Sequence, residues 1–244
     1  MENQFSRTAL LFGAENVEKL FSSRVIVFGL GGVGSYAVEA LARSGVGFLD
    51  IVDDDVVSET NLNRQLYALH STLGKYKVDV AEERIRDINP NCKVTKHRTF
   101  FLPENSSQFD FSKYDYIVDC IDTVAGKIQI ALKAQKSGTR VISSMGAGNK
   151  LEPTKFQVAD IFETSVCPLA RVMRAELKKR GVKNLKCVFS TEKTSVVKSH
   201  EAFGEKHPGS ASKSVPGSNP FVPSVAGLII AGEVIKDLSG VCKS

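Results

Sequence analysis

One stretch, residues 24–65, constrains this chain more than any other. It opens with an unbroken apolar run, Val25–Phe28, which is typical of a strand buried on both faces of a sheet. A cluster of glycines follows at once, and the next segment, Ala37–Ala42, is a strong helix former. The glycines are Gly29, Gly31, Gly32 and Gly34. The pattern predicts a strand, a tight turn and a helix.

A turn of this kind is a ready site for an anion. The first N–H groups of the helix have no partner, the helix dipole favours negative charge, and glycine lets a phosphate approach the main chain. A second predicted strand, Phe48–Val52, ends in three acidic residues. In βαβ nucleotide sites an acidic residue at this point holds a ribose hydroxyl. We therefore predict a nucleotide site that includes Asp53 and Asp55, with Asp53 at the ribose; the alternative is a glycine turn without a ligand.

The length of 244 residues suits one domain with a large core. We expect an N-terminal helical segment (1–22), a nucleotide-binding core (23–150) and a substrate or dimer part (151–244) with a mobile loop at about 195–219. No apolar run approaches the ~18 residues of a membrane span, and the N-terminus lacks a signal pattern. We therefore expect a cytoplasmic protein with no membrane partner.

Five cysteines are scattered along the chain without a Cys-x-x-Cys pair. This spacing argues against a disulfide framework and against a four-cysteine zinc site, so we expect no zinc. The cysteines are Cys92, Cys120, Cys167, Cys187 and Cys242.

The net charge of +5 is unevenly distributed. Between Arg171 and Lys198, nine basic residues stand against two acidic ones, so this window carries +7. Such a stretch is typical of a surface that faces nucleic acid, and a solvated helix face is the equal alternative. The candidate nucleic-acid residues are Arg171, Arg174, Lys178, Lys179, Arg180, Lys183 and Lys186.

A further buried strand is predicted over residues 114–123. Asp122 falls at its carboxyl end, the edge where open parallel sheets bind ligands. A carboxylate there can hold Mg²⁺ against nucleotide phosphates, and Asp119 is the second candidate.

The remaining segments complete the fold class. A helix is predicted over about 75–88, a strand over 138–144, and an alternating antiparallel strand over 155–161. We predict an α/β protein with a Rossmann-like, mostly parallel sheet flanked by helices and extended by antiparallel strands in its C-terminal part.

Asn61–Gln65, with the sequence Asn-Leu-Asn-Arg-Gln, has no role in a nicotinamide-dependent oxidoreductase, although the strand–glycine–helix start is shared. The glycine loop, the acidic strand end and this segment, in that order, resemble the ubiquitin-activating-enzyme-like superfamily of adenylating enzymes, which includes the ThiF-type sulfur-carrier activators. The resemblance implies that ATP is bound by the glycine loop, Asn61, Arg64 and Gln65. It also implies that Lys77, rather than Lys75, binds the phosphates.

The same resemblance implies a homodimer in which Arg7 reaches the partner's nucleotide phosphates, a contact that suits a guanidinium. It assigns Mg²⁺ to Asp122, although Thr123 stands where the superfamily usually has Asn. Arg7, Arg64, Lys77 and Asp122 would then act by positioning and electrostatics. The sequence leaves open a monovalent cation and a sulfur-relay protein as further partners.

Within the superfamily the chain looks most like the tRNA threonylcarbamoyladenosine dehydratase branch. That branch uses ATP to activate the carboxylate of threonylcarbamoyladenosine next to the tRNA anticodon, and loss of the activated oxygen closes a cyclic product. Two alternatives stay open: an activator of a sulfur-carrier or ubiquitin-like protein that ends in Gly-Gly, and a non-catalytic tRNA-binding protein. The segments that carry the likeness are Phe5–Gly13, Asn61–Gln65, Arg84–Pro90, Gly146–Gly148 and Cys187–Glu192.

Overall fold

The computed structural model describes residues 3–194 and 216–241. In this part of the chain seven strands form one sheet, in the order β3-β2-β1-β4-β5-β7-β6. The strands are β1 (Arg24–Phe28), β2 (Phe48–Val52), β3 (Lys93–His97), β4 (Tyr116–Asp119), β5 (Arg140–Ser144), β6 (Phe156–Asp160) and β7 (Lys186–Ser190). The helices are α1 (Ser6–Phe12), α2 (Ala14–Ser22), α3 (Gly34–Arg43), α4 (Lys77–Ile88), α5 (Val124–Ser137), α6 (Pro168–Lys179) and α7 (Val222–Ser239).

The sheet is mostly parallel, as predicted. Every described neighbour pair runs parallel except β6 and β7, which pair antiparallel. Strand β7 itself runs parallel to β5, so β6 alone reverses direction at the edge of the sheet. The carboxyl ends of β1, β2, β4 and β5 therefore lie along one edge, which is where such sheets bind ligands.

The apolar run in β1 follows from burial on both faces of the sheet. Val25 and Val27 belong to the core that includes residues of α3 and α7, whereas Ile26 and Phe28 belong to the core on the other face. On that second face the ring of Phe28 lies 4.7 Å from the ring of Phe101, measured between centroids. Because no side chain of residues 25–28 reaches solvent, the strand has no polar alternation.

Two of the differences from the predicted element boundaries bear on the site. Helix α4 begins at Lys77 rather than near Lys75, because Tyr76 is extended and the Lys77 N–H donates to the Asp55 carbonyl instead. Strand β4 ends at Asp119, so Asp122 lies in the loop that leads into α5. Of the predicted mobile loop at about 195–219, residues 195–215 lie outside the described residues.

Helix α7 packs along α3 and brings the C-terminal part of the chain onto the core. It has 18 residues. Of the helices that the structure describes, α7 included, none combines the length and the apolar character that a membrane crossing requires.

Two glycines of α7 provide a matched test of this packing. A Cβ atom at Gly227 would lie 2.2 Å from the Val33 carbonyl oxygen, whereas one at Gly232 would meet no atom within 4 Å. We expect Gly227→Ala to lower the free energy of unfolding by about 2 kcal/mol or more, because α7 and α3 must move apart. Gly232→Ala should raise it by up to ~1 kcal/mol, because alanine is the better helix former. Urea unfolding of both variants measures the difference, and equal effects would contradict the packing described.

Candidate nucleotide and substrate site

The glycine loop after β1 closes only because two of its residues lack a Cβ atom. Gly29 has a φ of 86°, and a Cβ there would lie 3.0 Å from the backbone of Cys120. A Cβ at Gly34 would lie 1.8 Å from the Gly29 carbonyl oxygen. These two glycines are therefore required by the chain's own backbone packing.

Gly31 and Gly32 serve a different purpose. Among the described residues, apart from its own chain neighbours, a Cβ at Gly31 would have only the Gln65 Nε2 atom within 4 Å, at 3.9 Å, so this position is open within the described chain. A Cβ at Gly32 would lie 3.1 Å from Pro223 and 3.4 Å from the Cγ of Arg64. The side chain of Arg64 thus lies against the loop, and the open part of the loop is at Gly31, where a phosphate could approach the main chain.

Asp53 joins the end of β2 to the glycine loop. Its Oδ2 accepts a hydrogen bond from the Leu30 N–H at 2.7 Å, and its Oδ1 accepts one from the Asp55 N–H at 2.9 Å. Burial raises the pKa of the Asp53 carboxyl, an effect that Lys77 and the two N–H groups oppose. The residue lies beside the loop, as a ribose-binding acid must, while also holding the loop in place.

The structure separates the two candidate lysines by burial. Lys77 is 4% exposed, and its Nζ lies 2.6 Å from Asp55 Oδ2 and 4.0 Å from Asp53 Oδ1. Lys75 is exposed to solvent. Lys77 therefore faces the acidic end of β2, and its present partner Asp55 would have to yield to a phosphate.

Arg64 is a partly buried cation whose partners are neutral. Its Nη1 donates to the Thr60 carbonyl at 2.8 Å and to Asn63 Oδ1 at 2.9 Å. Among the described residues no carboxylate lies within salt-bridge distance of it, and burial lowers the pKa of its guanidinium. A cation held in this way beside a glycine loop is suited to an anionic ligand.

Asn61 and Gln65 are 9% and 8% exposed. The Oδ1 of Asn61 accepts a hydrogen bond from the Ser58 N–H at 3.3 Å, and the Gln65 N–H donates to the Asn61 carbonyl at 3.0 Å. Asn61 therefore shapes the turn that carries Arg64, and Gln65 borders the open space at Gly31.

The two carboxylates at the carboxyl end of β4, Asp119 within the strand and Asp122 beyond it, have different environments. Asp119 is 1% exposed and accepts hydrogen bonds from the Lys127 Nζ at 3.1 Å and from the Ser143 Oγ at 2.6 Å. Asp122 is exposed, and its carboxylate makes no hydrogen bond or salt bridge with any described residue. Asp122 is thus the carboxylate available for a cation, and its hard oxygen donors match the ligand preference of Mg²⁺.

Arg7 lies exposed on α1 and makes no polar contact with a described residue. That helix has no buried residue, and its Leu10 and Leu11 side chains are 89% and 78% exposed. The chain's own fold therefore does not assign Arg7 to the nucleotide site.

The basic window divides into exposed and internally bonded residues. Arg174 donates to the Thr164 carbonyl at 2.8 Å, and Lys186 lies 2.7 Å from Asp237. Lys179 and Arg180 both pair with Glu176. Of the seven candidate nucleic-acid residues, Arg171, Lys178 and Lys183 are exposed and form no ion pair within the described chain.

One part of the site carries no sequence signal. Residues 216–219 follow no periodic pattern, yet the Gly217 N–H donates to Asn149 Oδ1 at 2.6 Å and the Asn63 Nδ2 donates to the Ser218 carbonyl at 3.1 Å. This segment therefore extends from the turn after β5 to the turn that carries Arg64. These contacts depend on residues far apart in the chain, so no local pattern could have predicted them.

These features are those of a candidate nucleotide site, and comparison with known proteins identifies the class. The chain belongs to the ThiF family, whose model matches residues 5–244.

Individual relatives are more specific. The tRNA threonylcarbamoyladenosine dehydratase of Bacillus subtilis is 47% identical over 242 residues, which cover 98% of this chain and 95% of that protein. The Escherichia coli protein of the same name is 39% identical over 197 residues, covering 78% of this chain and 74% of the relative. A crystal structure of an Escherichia coli tRNA N6-threonylcarbamoyladenosine dehydratase in complex with ATP matches with a TM-score of 0.85 and 33% identity, covering 98% and 94% of the two chains.

The open position in the glycine loop yields a test of nucleotide binding. We expect Gly31→Ala to weaken ATP binding by about tenfold or more, because the added methyl group would occupy the path of a phosphate. The melting temperature should stay near that of the wild type, since among the described residues beyond its chain neighbours no atom lies closer than 3.9 Å to the new Cβ. Calorimetric ATP titration and thermal unfolding measure the two effects.

Gly34→Ala is the matched comparison in the same loop. Its Cβ would overlap the Gly29 carbonyl, so this variant should lose stability as well as binding. Unchanged ATP affinity in Gly31→Ala would contradict the role given to the open part of the loop.

Proposed function

We propose that this protein is an ATP-dependent dehydratase that acts on threonylcarbamoyladenosine in tRNA, next to the anticodon. The observation that carries the proposal is the uncompensated Arg64 cation beside a glycine loop that is open at Gly31. The dehydratase relatives add support because their likeness extends over almost the whole chain, which favours this function over activation of a Gly-Gly-ended carrier protein. The proposal implies a cytoplasmic protein.

In this proposal each charged residue has one task toward ATP. Arg64 and Lys77 hold phosphate oxygens, the glycine loop supplies N–H donors, and Asp53 holds the ribose. Asp122 would hold Mg²⁺, which supplies neutralisation of phosphate charge when bound. The exposed, unbonded carboxylate of Asp122 fits that task, whereas Asp119, which is paired with Lys127, does not.

The chemistry requires little acid–base catalysis from side chains. A carboxylate oxygen of the substrate attacks the α-phosphorus of ATP, and pyrophosphate leaves. A nucleophile within the same modified nucleoside then closes a ring, and AMP leaves with the activated oxygen, so that the net change is loss of one water. Arg64 and Lys77 stabilise the charge that develops on the phosphate oxygens, which is catalysis by positioning and electrostatics.

We propose further that the protein works as a homodimer joined through α1. Leu10 and Leu11 are among its most exposed apolar residues, and a second copy would cover them. The same helix carries Arg7, which would then reach the phosphates bound by the partner.

The tRNA would contact the exposed part of the basic window. Arg171 and Lys178 are seven positions apart on α6, so they share one face of that helix, and Lys183 follows beyond its end. Their charges are not neutralised within the described chain, so phosphate contacts there would contribute to affinity.

Arg64→Ala and Asp122→Ala test the nucleotide chemistry. Both variants should lose tRNA-dependent AMP formation by at least about 100-fold, because each removes charge stabilisation at the phosphates. Lys75→Ala, which changes an exposed lysine two residues from Lys77, should retain activity. AMP is measured by chromatography and folding by circular dichroism. Full activity in either site variant would refute the assignment.

Subunit mixing tests whether Arg7 acts across the dimer. Arg7→Ala and Arg64→Ala dimers should each be inactive. After the two are unfolded together and refolded, about half of the dimers are mixed, and each mixed dimer has one intact site if Arg7 serves the partner. Activity should then return to about a quarter of the wild-type value. If Arg7 serves its own subunit, no mixed dimer has an intact site and no activity returns.

A further inference from the structure

A fully buried ion pair lies at the carboxyl ends of β4 and β5, on the ligand-binding edge of the sheet. The side chain of Lys127 is 0% exposed and that of Asp119 is 1% exposed. The Lys127 Nζ lies 3.1 Å from both carboxylate oxygens of Asp119. Neither residue reaches solvent, so neither can touch ATP or tRNA, and the nucleotide chemistry described above does not use them.

The pair connects the ends of two neighbouring strands. Asp119 is the last residue of β4, and the Lys127 Nζ also donates to the carbonyl of Ser144, the last residue of β5, at 2.7 Å. The Ser143 Oγ donates to Asp119 Oδ2 at 2.6 Å. Four groups from β4, β5 and α5 therefore meet at one buried point on the ligand-binding edge of the sheet.

The same pair closes the loop that carries Asp122. This loop, residues 120–123, runs from Asp119 at the end of β4 to the start of α5, where Lys127 lies in the first turns. Asp119 Oδ1 accepts a hydrogen bond from the Ile121 N–H at 3.3 Å, one residue before Asp122. The base of the loop is thus fixed on both sides, while the exposed Asp122 carboxylate makes no hydrogen bond or salt bridge with the described residues.

A buried ion pair is an inefficient means of stabilising a fold. Removing two charges from water costs several kcal/mol per ion, and apolar residues of similar size often serve stability equally well. A role in geometry accounts better for a pair that joins two strand ends and the loop beneath a ligand site. Groups in the outer shell of a metal ligand commonly set its orientation and its affinity.

We propose that Lys127 and Asp119 are positioning residues, which hold Asp122 in the orientation that binds Mg²⁺ with ATP. This inference rests on the proposed function, which assigns the metal to Asp122. It adds two residues that act through Asp122 and never touch the ligand.

The test variant is Asp119→Asn combined with Lys127→Met. Removal of Lys127 alone would leave a buried carboxylate without its cation and would destabilise the fold. The double variant removes both charges at nearly constant volume, and the asparagine amide that replaces the Asp119 carboxylate keeps an oxygen that can accept from the Ile121 N–H. ATP binding is followed by calorimetry in EDTA and across a Mg²⁺ titration.

We expect the double variant to bind ATP in EDTA as the wild type does, because the glycine loop and Arg64 are unchanged. The Mg²⁺ concentration that produces half of the increase in ATP affinity should rise by about tenfold. Asp122→Asn should give a similar rise. Combining Asp119→Asn and Lys127→Met with Asp122→Asn should give no further rise, because the Lys127–Asp119 pair acts only through the Asp122 carboxylate.

Glu39→Gln combined with Arg84→Met is the control. It removes another buried carboxylate together with one of its two arginine partners, at a 2.6 Å ion pair between α3 and α4, while Arg43, the other partner, is kept. The Mg²⁺ requirement should not change in this variant, even where stability falls. A rise equal to that of the Asp119→Asn/Lys127→Met variant would mean that a general loss of stability is responsible, and it would overturn the inference.

The remaining outcomes separate the inference from the proposed function. The positioning role is wrong, and the metal assignment stands, if Asp122→Asn raises the Mg²⁺ requirement and the Asp119→Asn/Lys127→Met variant does not. The same conclusion follows if the effects of these two variants add. If the wild type shows no Mg²⁺ dependence that involves Asp122, the metal assignment fails and the positioning role fails with it.

Discussion

The close approach of Gly34 to the Gly29 carbonyl is the constraint on which the nucleotide site depends. A single Cβ at position 34 would lie 1.8 Å from that oxygen, so the turn after β1 cannot form with any other residue there. This turn places the Leu30 N–H where it donates to the Asp53 carboxylate, and this hydrogen bond joins the loop to the end of β2. The glycine pattern thus specifies backbone contact at Gly29 and Gly34, and leaves Gly31 open for a ligand.

Charge at the ligand-binding edge follows a consistent arrangement. Lys127 and Asp119 neutralise each other out of contact with water, and Lys77 is paired with an exposed partner, Asp55. Arg64 and Asp122, which are of opposite sign, have no ionic partner among the described residues. A buried ion pair is suited to fixing the positions of the backbone segments that it joins, whereas charged groups without an ionic partner are suited to binding charged ligands. This division supports the separation of positioning residues from ligand-binding residues in the proposed mechanism.

The sequence predicts the parts of the site that depend on local pattern. Local patterns predict the glycine loop, the acidic end of β2 and the mostly parallel sheet. The apolar runs indicate buried strands, and the glycines indicate a tight turn. Pairing between separate elements has no such signal: Asp119 and Lys127 are eight positions apart, and Asn63 and Ser218 are 155 positions apart. The basic window shows the same limit, because composition cannot distinguish Lys178, which is exposed, from Lys186, which pairs with Asp237 inside the fold.

Mass spectrometry of nucleosides tests the central claim most directly. tRNA that contains threonylcarbamoyladenosine would be incubated with the protein, with and without ATP and Mg²⁺, and then digested. We expect this nucleoside to lose the mass of one water only when ATP is present. An unchanged nucleoside, together with AMP formation that depends on a protein ending in Gly-Gly, would contradict this expectation.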